Sequence, residues 1–367
     1  MTPKKSLITY KKPSNTQIDK AGEFISKSTD YQNELYKEAY NIISEWRGLY
    51  TYPLNTFQAD LRNQIKHISW NYAKNSIISQ RLKRIASIII KLQRNPTSQL
   101  SRFQDIWWIR AIVPDMKSVI LLQDIYTQKK SDLYKKKREK DYIQEPKNDW
   151  YRSIHIVFEY TNNRYPQTVW LEFEFQIRTF LQHAWATAVE TIGTFTGQSL
   201  KSWQGDQERL EYFNYVSAGF CHIEWTKVHS FFDDKSPKEI IKTIVDMNKK
   251  LKVVDHIKWF SIAATVIQKK IRTAELKKAM KFFIITLNTK KKEVEVQSFS
   301  SKQKDTAMKQ YTISEQKALE SWNDYVTVLV SIEQIRNLQT AYPSFFWDNE
   351  LFLECLKRFD EIVWEKK

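Results

Sequence analysis

The segment 171–178 carries the side chains whose chemistry is easiest to interpret. Apolar and polar residues alternate along it, and a period of two indicates a β-strand with one face in a core and one face open. The polar face combines two carboxylates, an amide and a guanidinium, which together could bind a cation and accept a proton. A solvated outer strand has the same pattern, so alternation alone leaves both interpretations open. The apolar residues are Leu171, Phe173, Phe175 and Ile177, and the polar residues are Glu172, Glu174, Gln176 and Arg178.

Another carboxylate stands before a second predicted strand. Residues 106–113 are almost wholly apolar, which is typical of a central strand, and Asp105 stands at the entry to this run. Arg110 lies inside the run, where a buried guanidinium needs an anionic partner, either a phosphate or a carboxylate.

Two basic segments could supply positive charge. The stretch RLKRIASIIIKLQR predicts a helix in which Lys83, Ser87 and Lys91 recur every four residues on one face, with Arg81 at its edge. The segment 129–142, KKSDLYKKKREKDY, contains seven Lys or Arg residues. Each segment has an ordinary interpretation, a solvated basic face or a charged loop, beside the functional one, a clamp for phosphate groups.

The elements that would position these groups alternate between helix and strand. A strand over 153–160 would place Ser153 and His155 on one face. Trp203 and Trp225 are expected to be core residues of a helical region. Helices are predicted over 16–47, 56–78, 115–128, 180–192 and 206–235.

We predict three parts in the chain. Residues 1–235 would form the main domain, residues 236–277 a lysine-rich helical linker, and residues 278–367 a small α+β unit with a hairpin, a further strand and three helices. No residue pattern in the last unit indicates catalysis. We interpret it as a regulatory or interaction module, either autoinhibitory or a dimer contact.

Composition limits the class of protein. The 367 residues can bury sizeable cores, the apolar runs are too short to span a membrane, and two distant cysteines give no disulfide framework, so a cytoplasmic protein is expected. The net charge of +16 suggests a polyanionic partner such as a nucleotide or RNA, although codon bias toward lysine would also explain it. Cys221, His222 and His229 lack a fourth metal ligand, which favours a structural role.

Several of these segments, in this order, resemble the synthetase domain of the RelA/SpoT family of alarmone synthetases. The resemblance covers roughly residues 80–190. Flanking stretches such as YPLNTFQADLR and LQHAWATAVETIGTF also resemble a subgroup of longer single-synthetase proteins, and no segment resembles the hydrolase domain that some members carry. The matching residues are Arg81, Lys83, Ser87 and Lys91, Asp105 and Arg110, Arg138 to Lys147 as REKDYIQEPK, Tyr151 to His155 as YRSIH, and Glu174 to Thr179 as EFQIRT, followed by His183.

The resemblance implies an α+β fold with a mixed β-sheet flanked by helices, similar to the nucleotidyltransferases. It implies a Mg²⁺-dependent transfer of the β,γ-pyrophosphate of ATP to a ribose 3′-hydroxyl, usually of GDP or GTP to give (p)ppGpp. A toxic branch of the family modifies adenine nucleotides or the 3′ end of tRNA. Some fused members restrain such a toxin with a C-terminal domain and serve in phage defence.

The resemblance also implies roles for individual residues. Asp105 and Glu174 would be the catalytic pair and the magnesium ligands, with Glu174 also taking the proton of the 3′-hydroxyl. Tyr151 would stack on the acceptor base. The expected ATP-binding residues are Arg81, Lys83, Ser87, Lys91, Arg110, Arg138 and Lys140. The expected acceptor-binding residues are Lys147, Tyr151, Arg152, Ser153, His155, Gln176 and Arg178.

Three tryptophans depart from the family pattern, which has glycine at the positions of Trp107, Trp108 and Trp150. An indole blocks the close approach of backbone to phosphate that glycine permits. Trp107 is expected to face the same side as Asp105 and to wall the ATP pocket. The alternatives to an alarmone synthetase are therefore a tRNA-modifying toxin and a catalytically inactive nucleotide- or RNA-binding relative.

Overall fold

The computed structural model describes residues 12–28, 30, 32–68, 75–147, 149–196, 200, 206–255, 257, 280–288, 291, 293–300, 303–320, 325–331 and 349–364. Among these residues, no helix is long and apolar enough to cross a membrane.

Three helices open the described chain: α1 (Asn15–Lys27), α2 (Glu34–Gly48) and α3 (Thr51–Ile68). The prediction of one helix over 16–47 was wrong, because short polar side chains between α1 and α2 bond to nearby backbone groups and compete with the helix. Asp30 accepts from the amide of Gln32, and Asn33 caps α2 by accepting from the amide of Leu35. The helix predicted over 56–78 is described as α3 from residue 51 to residue 68. Residues 69–74 lie outside the described residues, and residues 77 and 78 belong to a strand and not to a helix.

A five-stranded sheet follows, made of β1 (Ile77–Leu82), β2 (Trp107–Val113), β3 (Tyr134–Asp141), β4 (Ile154–Tyr160) and β5 (Glu172–Thr179). The strand order is β1-β2-β5-β4-β3. Only the β2–β5 pair is parallel, so the predicted mixed sheet is confirmed.

Two basic segments take a different structure from the predicted one. The helix predicted from Arg81 onward begins only at residue 85, as α4 (Ile85–Arg94), because residues 77–82 pair with residues 107–112 of β2 as strand β1. The charged segment 129–142 is largely strand β3, at the edge of the sheet, and not a loop.

One face of the sheet is covered by α1, α2, α3, α4 and α5 (Met116–Gln128), which enclose an apolar core. Phe57 of α3 lies at its centre, with its ring centroid 5.0 Å from that of Phe173 and 5.2 Å from that of Phe175. Burying a phenylalanine side chain of this kind contributes about 1.5–3 kcal/mol to stability. The odd-numbered residues of β5 thus face the core, and its even-numbered residues face the other side.

A second core lies among α6 (Phe180–Thr196), α7 (Gln207–Glu224), α8 (Pro237–Leu251) and α10 (Glu350–Trp364). The helix predicted over 206–235 is only α7 and, after a break, a short 3-10 turn (Ser230–Phe232). The prediction that Trp225 is a core residue was wrong: it takes a left-handed conformation at the end of α7 and is 94% exposed. Trp203 lies outside the described residues.

The C-terminal unit contains β6 (Met280–Asn288), β7 (Glu293–Ser300), α9 (Lys304–Glu320) and β8 (Tyr325–Ser331). Its strands form an antiparallel sheet of order β7-β6-β8, which confirms the predicted hairpin and third strand. One of the three helices predicted for this unit, over residues 332–339 (IEQIRNLQ), lies outside the described residues. The division of the chain near residues 235 and 277 stays a prediction.

Candidate active site

The register of the sheet brings the polar residues of three strands to one face. In the parallel β2–β5 pair, Trp108 lies beside Glu174 and Arg110 beside Gln176. In the antiparallel β4–β5 pair, His155 lies opposite Gln176. Directly paired residues share a face, so these side chains project together from the face opposite the Phe57 core.

A β-bulge adds the cations of the edge strand to this face. The β3–β4 register shifts between Lys136 and Arg138, after which Arg138 lies opposite Val157 and Lys140 opposite His155. Without the extra residue, Arg138 and Lys140 would continue the core-facing alternation. Both side chains are exposed on the edge strand β3, next to β4, the strand that places His155 on the polar face.

Asp105 lies just before β2 and is bound by two lysines. Its Oδ2 accepts from Lys83 Nζ, and its Oδ1 lies 2.9 Å from Lys91 Nζ. Burial would raise the pKa of Asp105, but the two ammonium groups outweigh burial and lower that pKa. Burial also lowers the pKa of Lys83. Ser87 is half-buried, one turn before Lys91 on α4.

Glu174 is held at both carboxylate oxygens. Its Oε2 lies 3.0 Å from His155 Nδ1, and its Oε1 accepts from the side-chain amide of Gln176. Gln176 in turn accepts from Arg110 Nε at 2.9 Å, and His155 Nε2 lies 3.1 Å from Tyr151 Oη. Burial opposes ionisation of Glu174, but His155 and Gln176 outweigh it and lower its pKa to about 2. Burial would lower the pKa of His155, but Glu174 raises it.

Both carboxylates open onto one cavity of about 760 Å³. The predicted site residues that line it are Lys91, Asp105, Lys147, His155 and Glu174. Sequence reasoning missed the rest of its lining: Thr97, Ser98, Gln99, Arg102, Phe103, Gln104 and Tyr142.

The missed residues lie in the connection between α4 and β2 and after β3. The only available signals were Tyr142 within YIQEPK, close to Lys147, and the polar character of residues 95–104. Lys91 Nζ lies 4.3 Å from the ring centroid of Phe103, and Lys147 Nζ lies 4.2 Å from that of Tyr142. Cation–π contacts of this kind hold the lysines at the cavity wall.

Other predicted site residues lie deeper or bond elsewhere. Arg81 lies 3.8 Å from the carboxylate of Glu190, and Arg178 contacts His183. Arg152 donates to the carbonyl of Ile143 at 3.4 Å. The hydroxyl of Ser153 donates to the carbonyl of Ile177, and the ring of Tyr151 stands edge-on to those of Tyr142 and His155.

The three tryptophans leave the cavity open. The prediction that Trp107 walls it was wrong: its indole donates to the carbonyl of Arg47 at 3.0 Å and packs against the core around Phe57. Trp108 lies under the guanidinium of Arg110, 4.0 Å from ring centroid to Cζ. Trp150 has φ 62° and packs on His229 and Phe232. All three are described residues, and none of them lines the cavity.

The residues present fit a magnesium ion in part. Among the residues that the structure describes, no group of three or more His, Cys, Asp or Glu could hold a metal. Asp105 and Glu174 are ionised oxygen donors on one cavity, and Mg²⁺ commonly takes one or two carboxylates and completes its shell with substrate phosphates and water.

Cys221, considered above as a metal ligand, is buried, and its thiol donates to the carbonyl of Ser217 at 2.9 Å.

Residues 80–193 match the family described as the region found in RelA/SpoT proteins. This part of the chain is a RelA/SpoT region. It begins within β1, ends within α6, and contains all the cavity-lining residues named above, including Asp105 and Glu174. The resemblance seen in the sequence is thereby confirmed.

Named relatives of the RelA/SpoT region are GTP pyrophosphokinases. The chain is 28% identical to the GTP pyrophosphokinase YwaC of Bacillus subtilis over 170 residues, which cover 44% of this chain and 74% of the relative. It is 29% identical to the GTP pyrophosphokinase YjbM of the same organism over 117 residues, 31% of this chain and 54% of the relative.

Solved structures of such proteins are also similar to the chain. The small alarmone synthetase 1 of Bacillus subtilis bound to pppGpp is 19% identical, with a TM-score of 0.42, and the match covers 50% of this chain and 92% of that one. A GTP pyrophosphokinase family protein of Streptococcus pneumoniae is 24% identical, with a TM-score of 0.39, over 53% of this chain and 96% of that one.

Proposed function

We propose that this chain transfers the β,γ-pyrophosphate of ATP to the ribose 3′-hydroxyl of GDP or GTP. The observation that carries the proposal is the pair of ionised carboxylates, Asp105 and Glu174, on one cavity that also exposes Lys91 and Lys147. The relatives of the RelA/SpoT region, named GTP pyrophosphokinases, support the choice of acceptor.

The donor half of the site would lie around Asp105. The triphosphate of ATP is polyanionic, so its binding needs fixed positive charge, which Lys83 and Lys91 would provide. A magnesium ion bound by Asp105 and Glu174 would neutralise charge on the transferred phosphates. Because both oxygens of Asp105 now bind lysines, one lysine would move from the carboxylate to a phosphate when the metal and ATP bind.

The acceptor half would lie around Glu174. The 3′-oxygen forms a bond to the β-phosphorus of ATP. The bond from that phosphorus to the oxygen that bridges the α- and β-phosphates breaks, and AMP leaves with that oxygen and the electron pair. The hydroxyl proton passes to Glu174 and then to solvent. His155 and Gln176 fix the carboxylate in place for this contact. Lys147 and Tyr142 would contact the acceptor nucleotide.

The proposal is tested by incubating the protein with magnesium, γ-labelled ATP and, separately, GDP, GTP, AMP and bulk tRNA. We expect a labelled guanosine 3′-pyrophosphate that Glu174→Gln and Asp105→Asn abolish. Asp124→Asn, which removes an exposed carboxylate on α5, is the matched control and should keep full activity. Absence of label in every acceptor would reject the proposed pyrophosphokinase activity and leave a nucleotide-binding protein without turnover. Label in AMP alone would show that the acceptor is an adenine nucleotide and not a guanine nucleotide.

A second candidate acceptor is the 3′ end of tRNA. It is favoured by the exposed cations Arg138 and Lys140 at the open edge of the polar face and by the net charge of +16. Binding of RNA depends largely on phosphate neutralisation and weakens as salt rises. Label in tRNA that Arg138→Gln and Lys140→Gln reduce together would establish this acceptor. Absence of label in tRNA, with label in GDP or GTP that these substitutions do not change, would exclude it.

A further inference from the structure

Helix α9 of the C-terminal unit places a buried carboxylate against the N-terminal helices. Glu315 Oε1 accepts from the backbone amide of Ile85 at 3.1 Å and from Tyr311 Oη at 3.2 Å. Its Oε2 accepts from Tyr40 Oη at 3.2 Å and lies 3.6 Å from Arg47 Nη1. The side chains of Glu315 and Arg47 are only 5% and 3% exposed, so this ion pair is removed from water.

Glu315 caps the helix that carries Lys91. Ile85 is the first residue of α4, and the capping residue Arg84 makes no side-chain hydrogen bond to the helix. The first amides of a helix lack partners within it and favour a negative charge. The cap of α4 therefore comes from α9, far along the chain, and not from the neighbouring sequence.

Through its ion pair with Arg47, the same carboxylate also stabilises the residue that precedes Arg84 in the turn between β1 and α4. Arg47 Nη2 donates to the backbone carbonyl of Lys83 at 2.8 Å. Glu315 thus fixes residues immediately before and after Arg84. The side chains that leave this turn and the following helix, Lys83 and Lys91, are the two that bind Asp105.

Loss of the carboxylate would disturb both contacts at once. A buried guanidinium that loses its partner is strongly unfavourable. Arg47 would have to move to reach water, and its hydrogen bond to the carbonyl of Lys83 would be lost with the movement. The first turn of α4 would lose its cap at the same time.

We propose that Glu315 is a positioning residue of the phosphate-binding site: α9 completes this site by fixing the turn that carries Lys83 and begins the helix that carries Lys91, the two lysines that bind Asp105. The C-terminal unit is then part of the site's construction, and its release would loosen both lysines. The inference rests on the proposed function for the nature of the ligand, an ATP triphosphate, whereas the mechanical link between α9 and α4 stands independently of it.

Two measurements on the full chain test the proposal. Amide hydrogen exchange of residues 84–88 reports the cap without any ligand, and binding of a non-hydrolysable ATP analogue with magnesium reports the lysines. Glu315→Ala should lose protection at residues 84–88 and bind the analogue roughly tenfold more weakly, within the usual range for coupled sites. Glu315→Gln keeps an oxygen for the Ile85 amide, so it should restore part of the protection but little of the affinity.

Glu320→Gln is the matched control. Glu320 lies on the same helix, is exposed, and bonds to Gln32 and Gln316 rather than to α4, so it should change neither measurement. If Glu315→Ala fails to fold, Tyr40→Phe removes one hydrogen bond from the same carboxylate and should give a smaller change in the same direction.

Protection of residues 84–88 that is the same in wild type and in a folded Glu315 variant would overturn the proposal. If the wild type does not bind the analogue, the proposed function fails, and the exchange measurement still decides whether Glu315 fixes the turn. Lost protection with unchanged affinity would also overturn the proposal, because the lysines would then not depend on the turn.

Discussion

Glu174 and His155 are bound to each other across the antiparallel β4–β5 pair, with 3.0 Å between Oε2 and Nδ1. The contact is diagonal, because His155 lies directly opposite Gln176 and not opposite Glu174. One oxygen of Glu174 is therefore fixed by the neighbouring strand and the other by Gln176 on its own strand. The carboxylate that we propose as proton acceptor has little freedom to turn away from the cavity.

We predict that His155→Gln lowers kcat by roughly a hundredfold, the lower end of the usual contribution of a positioned acid–base group. Glutamine cannot supply the charge of the imidazolium that holds Glu174, so the carboxylate would turn. Steady-state kinetics with GDP as the acceptor measures the change. His67→Gln, at the exposed end of α3, is the control and should leave kcat unaltered. A kcat close to wild type in His155→Gln would show that Gln176 alone positions Glu174.

We predict that Lys91→Met raises the KM for ATP by roughly tenfold or more, the expected effect of losing a hydrogen bond to a charged group. Methionine keeps much of the apolar length beside Phe103 but removes the ammonium group. Lys117→Met, an exposed lysine on α5, is the matched control. Equal KM values in both variants would place the triphosphate away from Asp105.

Much of the polar face could be predicted from sequence, because strand alternation is a local property. The even-numbered residues of β5 were assigned to one face, and β2 was recognised as a central strand. Both predictions depend only on side-chain spacing along a few residues.

The remaining parts of the site depend on information that is not local. The β3 bulge was not predictable, since residues 135–138 are all cations and show no apolar alternation. Strand β1 was mistaken for helix because its pairing with β2 decides its conformation. The cap that Glu315 gives to Ile85 joins segments far apart in the chain, and no pattern within either segment predicts it.

We predict that Trp150→Gly destabilises the protein although glycine suits the backbone better. A φ of 62° is unfavourable for a residue with a Cβ, so glycine would recover about 1–2 kcal/mol. The indole is buried against His229 and Phe232, and removing such a side chain costs about 3–5 kcal/mol. The net loss should be about 2 kcal/mol in urea unfolding, with unchanged affinity for the ATP analogue. Weaker binding of the analogue by the folded variant would mean that Trp150 shapes the cavity.

The last prediction concerns the acid stability conferred by Asp60 of α3. Its carboxylate accepts from Lys129 and Tyr134 and, at 3.0 Å, from Tyr126. Burial would raise the pKa of Asp60, but these hydrogen bonds outweigh burial and lower that pKa.

A lowered pKa in the folded state means that the stabilisation is complete above the unfolded value of about 3.9 and is lost as pH falls through the folded value. Asp60→Asn should therefore reduce the free energy of unfolding at pH 7 by about 1–3 kcal/mol, as expected for a buried group that loses charged partners. The difference from wild type should shrink as pH falls below 4. Urea unfolding at several pH values measures this, with Asp124→Asn as the exposed control. A difference that stays constant down to pH 2 would show that the hydrogen bonds of Asp60 do not depend on its charge.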